Sequence, residues 1–99
     1  MKQCRVSRRA RNDLDQIWLH IAREVNIETA DRFVDDLTNR FPLLAGMPEA
    51  GRSREDLEPG LRSFPVEDFL IYYRRARRGI LISRVIHGRR DQRSAWAEK

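Results

Sequence analysis

Apolar and polar positions follow two rhythms along this chain. From Ala10 to Val25 the apolar residues Ala10, Leu14, Ile17, Trp18, Ile21 and Val25 recur mainly three or four apart, with Arg11, Asp13, Gln16, His20 and Glu24 on the opposite side. That spacing predicts one face of a helix, and Ser7 supplies an N-cap hydroxyl. A second stripe runs through Ala30, Phe33, Val34, Leu37, Phe41 and Leu44, with Asn26 as its cap. Gly46 and Pro48 stop it, and Pro42 predicts a kink or loosening around residues 38–41. So little chain separates the stripes that they form an antiparallel helical hairpin.

Elsewhere the period is two. Gln3–Val6 reads as a short strand with Cys4 and Val6 on one face. Leu61–Phe64, Phe69–Arg74 and Ile80–His87 are three more strands, joined by turns at 65–68 and 75–79, where Gly79 suits positive φ. In the last strand Ile80, Ile82 and Ile86 share a face interrupted by Arg84, with Leu81 and Val85 opposite. Residues 47–60, with Pro48, Gly51, Pro59 and Gly60, form a loop, and a flexible tail begins near residue 92. The order β-α-α-β-β-β gives a single α+β domain over residues 1–99, its helical hairpin packed on a small, mostly antiparallel sheet.

Composition narrows the partners. The chain has 99 residues, 40% hydrophobic and 35% charged, which suits one ordered domain. Its net charge of +5 comes from 18 Arg against two Lys, Lys2 and Lys99. Guanidinium groups favour bidentate grips on carboxylate or phosphate. Charge is also polarised: residues 13–36 hold seven acidic residues and two Arg, while 74–93 hold eight Arg and one Asp. The sheet end should therefore seek an acidic partner. A lone cysteine, Cys4, makes no internal disulfide and points to a reducing cytoplasm; its place in the strand alternation makes it a small core residue. No signal peptide is visible, no apolar run nears the roughly 20 residues of a membrane span, and no metal or cofactor motif stands out.

The chemistry concentrates in RVIHGRRDQ, Arg84–Gln92, where the last strand leaves the sheet. Three readings are open: a catalytic site, a grip for nucleic acid, or a protein-docking surface. His87 titrates in the range that acid–base work needs, or caps the strand end. Arg84 must be paired if it faces the core, with Asp91 or Glu67 as candidate partners. Arg90 and Asp91 can pair to fix the tail. Trp18 belongs to the core, whereas Trp96 offers a terminal aromatic anchor.

The string GMPEAGRSREDLEPGLRSFPVEDFLIYYR, followed by ILISRVIHGRRD and preceded by SRRARNDLDQIWLHIA, resembles toxins of the ParE/RelE superfamily, and within it the ParE branch. Pro48, Gly51-Arg52, Gly60-Leu61-Arg62, Arg84-Val85-Ile86-His87 and Arg90-Asp91 carry the likeness, which spans Val6 to about Asp91. The resemblance implies a βααβββ fold and a bacterial type II toxin–antitoxin pair. It implies a ParD-like antitoxin of ribbon-helix-helix type, a toxin–antitoxin hetero-oligomer, operator DNA reached only through the antitoxin, a cytoplasmic location and growth arrest. ParE-like members poison DNA gyrase; RelE-like members cleave mRNA on the ribosome.

Cleavage needs a base, an acid and cations on the scissile phosphate. RelE-like members that cleave strongly carry Lys and Arg on the sheet face and often a Tyr near the C-terminus. Here Lys occurs only at the chain ends and no Tyr follows Tyr73. A YoeB-like set has stand-ins in His87, Arg62 or Arg84, and Glu55 or Glu67. The expectation is a gyrase inhibitor that performs no chemistry, needs no metal or cofactor, and binds partners through Arg62, Arg84, His87, Arg89, Arg90 and Trp96. A ribosome-dependent endoribonuclease using His87, Arg62 and Arg84 is the alternative. A non-toxic copy that still binds its antitoxin is the third reading.

Overall fold

A computed structural model describes residues 3–98; Lys2 and Lys99 lie outside them. Strand β1 (Gln3–Val6) leads into α1 (Arg8–Glu24), whose first turn is closed by the Ser7 hydroxyl accepting the Ala10 N–H at 3.0 Å. Val25 and Asn26 make the turn into α2 (Ile27–Thr38), capped by Asn26 Oδ1 on the Thr29 N–H at 2.7 Å. The loosening expected at Pro42 is a break: Asn39 separates α2 from α3 (Arg40–Gly46). Pro42 thereby falls in the first turn of a new helix, where its missing N–H is no loss.

Four strands follow: β2 (Arg52–Ser53), β3 (Arg62–Val66), β4 (Phe69–Ala76) and β5 (Gly79–His87). The sheet order is β1-β5-β4-β3-β2, with β1 parallel to β5 and every other pair antiparallel. The tail expected to be flexible from near residue 92 is instead a last helix, α4 (Gln92–Ala97).

Each sheet face has its own core. Ile17 of α1, Leu37 of α2, and Phe41 and Leu44 of α3 pack on Ile71, Tyr73, Ile80, Ile82 and Val85. Fully burying a side chain of this kind contributes about 1.5–3 kcal/mol, so this layer carries most of the stability. On the other face Leu61, Tyr72, Ile86 and Ala95 form a smaller cluster, flanked by Leu57, Leu70 and Trp96.

A bulge decides which residues of β5 face which core. Tyr72 lies opposite Arg84 and Tyr73 opposite Ile82, so Ser83 is an extra residue. One extra residue reverses the alternation beyond it. Val85 therefore joins Ile80 and Ile82 under the helices, while Ile86 turns to the smaller core. The expected grouping of Ile86 with Ile80 and Ile82, and of Val85 with Leu81, is corrected accordingly. Three further expectations change. Val25 ends the α1 stripe yet is 62% exposed. Trp18 is half-buried and ties α1 to α2 at the surface, its Nε1–H donating to Asp31 Oδ1 at 2.7 Å. Positive φ in the β4–β5 turn belongs to Arg78 (67°), not Gly79.

Candidate functional site

The parallel partner β1 ends at Val6, opposite Ile82, and leaves the rest of that β5 edge unpaired. Groups at the start of α1 complete it. The Ser7 N–H donates to the Ile82 carbonyl and its hydroxyl to the Ser83 carbonyl, both at 2.9 Å. Asp13 then accepts the Val85 N–H at 2.9 Å. The same carboxylate takes Arg84 in a fork, from Nε at 2.7 Å and NH2 at 3.0 Å. Arg84 NH1 donates to the Ala95 carbonyl of α4 at 2.9 Å. Its side chain is 6% exposed and that of Asp13 is 13% exposed. Hydrogen bonding to Asp13 raises the guanidinium pKa, against the opposing pull of burial. Arg84 thus has its carboxylate in Asp13, not Asp91 or Glu67. With all three of its nitrogens bonded inside the protein and its side chain almost wholly covered, it presents little surface to a partner.

This latch holds α4 down, and other groups reinforce it. The Asp91 carboxylate caps α4, accepting from the Arg93 N–H at 3.1 Å and the Ser94 N–H at 3.4 Å, so it is not the partner of Arg90. Arg90 pairs with Glu98 instead. The Gln92 side chain accepts the Tyr72 hydroxyl at 2.6 Å and donates to the carbonyls of His87 at 3.0 Å and Arg90 at 2.7 Å. Trp96 folds back onto Tyr72, ring centroids 5.3 Å apart, and stays half-buried. Arg54 closes the far side: NH1 donates to the Tyr72 hydroxyl at 3.0 Å while Nε and NH2 clamp Asp56, each at 3.0 Å. That clamp holds the Asp56 carboxyl below the usual carboxylate range, and burial pushes the Tyr72 phenol up.

The family-like strings turn out to fasten the fold. The Tyr73 hydroxyl donates to the Pro48 carbonyl at 2.9 Å and accepts the Gly51 N–H at 2.7 Å. A Cβ on Gly51 would collide with that phenol, so glycine is required there. Arg62 NH1 donates to the Gly51 carbonyl at 2.7 Å. His87 Nδ1 accepts the Arg89 N–H at 3.1 Å, and its ring meets the Phe69 ring edge-on at 5.0 Å. His87 therefore closes a strand end.

The residues of the nuclease alternative stay apart. Arg62 sits opposite Tyr73, and His87 sits opposite Phe69. Those are four steps apart on β4, roughly 13 Å along the strand. Arg84 is committed to Asp13, Glu55 accepts the Gly60 N–H, and Glu67 is exposed in the β3–β4 turn. Of the expected partner-binding residues, Arg89 and Arg90 are exposed, Arg90 in its pair with Glu98, while Arg62, His87 and Trp96 are half-buried. Among the described residues, no group of three or more His, Cys, Asp and Glu is placed to hold a metal ion.

Sequence reading missed Asp13, Arg54, Tyr72 and Gln92, which build this end of the molecule. Asp13 flanks the α1 stripe, beside Leu14, which was the available signal for a carboxylate near the core. It also missed where unopposed apolar surface lies: Val25, Ile27, Leu43 and Met47 are 60–67% exposed.

Comparisons with known proteins agree with this architecture. The family model for the ParE toxin of type II toxin–antitoxin system, parDE, matches residues 4–92. Toxin ParE3 of Caulobacter vibrioides is 29% identical over 87 residues, covering 88% of this chain and 87% of that protein. Toxin ParE1 of the same organism is 33% identical over 87 residues, covering 88% and 90%. A solved structure, the chromosomal ParDE TA system from P. aeruginosa, superposes with a TM-score of 0.76 at 27% identity, covering 88% of this chain and 96% of that one.

Proposed function

This chain belongs to the family of ParE toxins of type II toxin–antitoxin systems, and from that premise we propose that it arrests growth by docking on DNA gyrase, performing no chemistry itself, until a ParD-like antitoxin covers it. The observation that carries the docking mechanism is the dispersal of Arg62, Arg84 and His87: two fasten the fold locally and the third is buried in an ion pair. That dispersal supports action by occupying a surface over cleavage by these three residues. The outer side of α4 supplies the target surface, with Arg89, Arg93 and the free edge of Trp96 around a helix held rigidly by the Arg84 latch. Aromatic and Arg side chains on a fixed base are the usual anchors of such contacts.

The antitoxin is the natural cover for Val25, Ile27, Leu43 and Met47, with carboxylates matching the arginine-rich sheet. The antitoxin would also carry sequence-specific operator binding in a hetero-oligomer. A cytoplasmic site of action follows from the target and fits the single thiol of Cys4, which burial holds protonated above its ordinary range. No helix among the described residues is long and apolar enough to cross a membrane.

Induction in growing cells, with and without the neighbouring antitoxin gene, should give arrest and rescue; absence of arrest would favour the non-toxic reading. A supercoiling assay with purified gyrase should show inhibition and stabilised cleavage. New mRNA 5′ ends in the ribosomal A-site register, with gyrase unaffected, would instead favour the endoribonuclease.

A further inference from the structure

At the end of the sheet away from α4, two cations stand without neutralising partners. The β4–β5 ladder closes at the Ala76–Gly79 pair, so Arg77 and Arg78 are the whole turn. Both are exposed, and among the described residues neither has a carboxylate within ion-pair reach. Their neighbours Arg74 and Arg75, by contrast, are held by Glu58 and Glu49.

The turn is fixed in place. The Gln3 N–H donates to the Arg78 carbonyl at 2.7 Å, and a Cβ on Gly79 would overlap the Gln3 backbone, so β1 sits tightly against it. Arg78 itself stands at φ 67°, a conformation that glycine or asparagine adopts at lower cost. Chain reversal alone would be better served by those residues. Beside the tip, a cleft of about 590 Å³ opens between the start of β1 and the end of α3. Arg75 and Arg78 line it, and its apolar wall offers nothing larger than Pro48.

We propose that this tip is a sequence-independent contact for the phosphodiester backbone of duplex DNA, with Arg77 and Arg78 gripping phosphates. Guanidinium forks match phosphate oxygens, and such contacts position a protein on DNA without reading bases. An acidic protein segment is the weaker fit, because arginine anchors of protein contacts sit in well-packed, desolvated pockets, whereas Arg77 and Arg78 stand on an exposed turn and the cleft beside them has no aromatic lining. This goes beyond the expectation that the chain meets DNA only through an antitoxin, and it does not rest on gyrase being the target.

The test is fluorescence anisotropy of the full-length chain on a labelled duplex of arbitrary sequence, from about 50 to about 200 mM salt. Losing two phosphate contacts in Arg77→Ala/Arg78→Ala should lower the slope of log affinity against log salt by about 1.8. Over that range the unsubstituted chain should then lose roughly twelvefold more affinity than the variant. Arg77→Lys/Arg78→Lys, which keeps the charge, should restore most of the slope. Arg89→Ala/Arg90→Ala should change it less than the tip substitution does. An unchanged slope in the alanine tip variant, with wild-type circular dichroism, would overturn the proposal. So would an equal effect from the tail variant. Polyglutamate of matched charge bound as tightly as DNA, and weakened equally by the tip substitution, would also overturn it and assign the tip to an acidic protein segment. Growth arrest measured on the same variants reports separately on the toxin reading.

Discussion

The two ends of β5 are both rich in arginine, yet they differ in what that arginine does. At the C-terminal end the cations are largely spoken for: Arg84 by Asp13, Arg90 by Glu98, and Arg54 by Asp56. At the hairpin tip Arg77 and Arg78 face solvent on a turn that strains one of them. A run of basic residues therefore does not by itself mark an interaction surface. What matters is whether folding brings carboxylates to it, and here the acidic residue that matters most comes from α1, 71 positions away from Arg84.

The comparison breaks most readily at the paired end. Asp13→Ala should cost about 3–5 kcal/mol, because it leaves the Arg84 charge buried and the Val85 N–H unanswered. Urea unfolding measures it, and a loss within about 0.5 kcal/mol would place Arg84 among ordinary surface residues. Replacing both partners with apolar residues of similar volume should cost less than either single change.

The tip should yield more modest effects. Gly79→Ala drives a methyl into the Gln3 backbone and should cost about 1–3 kcal/mol, the range for overpacking. Hydrogen exchange should show the loss first in β1 amides; uniform protection would contradict the tight seating of that strand. Arg78→Gly should stabilise the chain by about 1 kcal/mol, by relieving the left-handed backbone, offset partly by glycine's greater freedom when unfolded. A destabilised variant would mean that the Arg78 side chain makes contacts that support the fold.

The smallest effect is one of pH. Burial raises the phenol pKa values of Tyr72 and Tyr73 above the ordinary 10.0. Folded protein then holds these protons more tightly than unfolded chain. Their contribution is complete below pH 10.0 and is lost as pH rises through the folded values. The urea midpoint should fall across that alkaline window, and Tyr72→Phe should remove part of the fall. A midpoint that stays level there would count against burial as the cause.

Most of the fold was legible because its signals repeat. The α1 and α2 stripes run over several turns, and Ser7 and Asn26 are caps that both function as such. The features missed are those where one residue decides the outcome. Ser83 adds a single bulged position, and an alternation read by eye cannot show that Arg84 and Ile86 have changed faces. The α4 helix spans six residues and buries only Ala95 fully, too little for a periodic pattern. Its hold on the sheet comes from Tyr72, Gln92 and Arg84, a set that exists only after folding. RVIHGRRDQ spans the place where the last strand ends. It looked like a site because the carboxylate answering its arginine lies in another element.

Side-chain NMR of the arginine Nε–H groups tests the contrast between the two ends most directly, since each guanidinium reports on its own pairing. The Arg84 Nε–H, donating to Asp13 inside the protein, should persist as a sharp, slowly exchanging resonance at neutral pH, while those of Arg77 and Arg78 exchange rapidly with water. An Arg84 signal that exchanges as fast as Arg77 and Arg78 would contradict the account, and would return Arg84 to the side chains open to a partner.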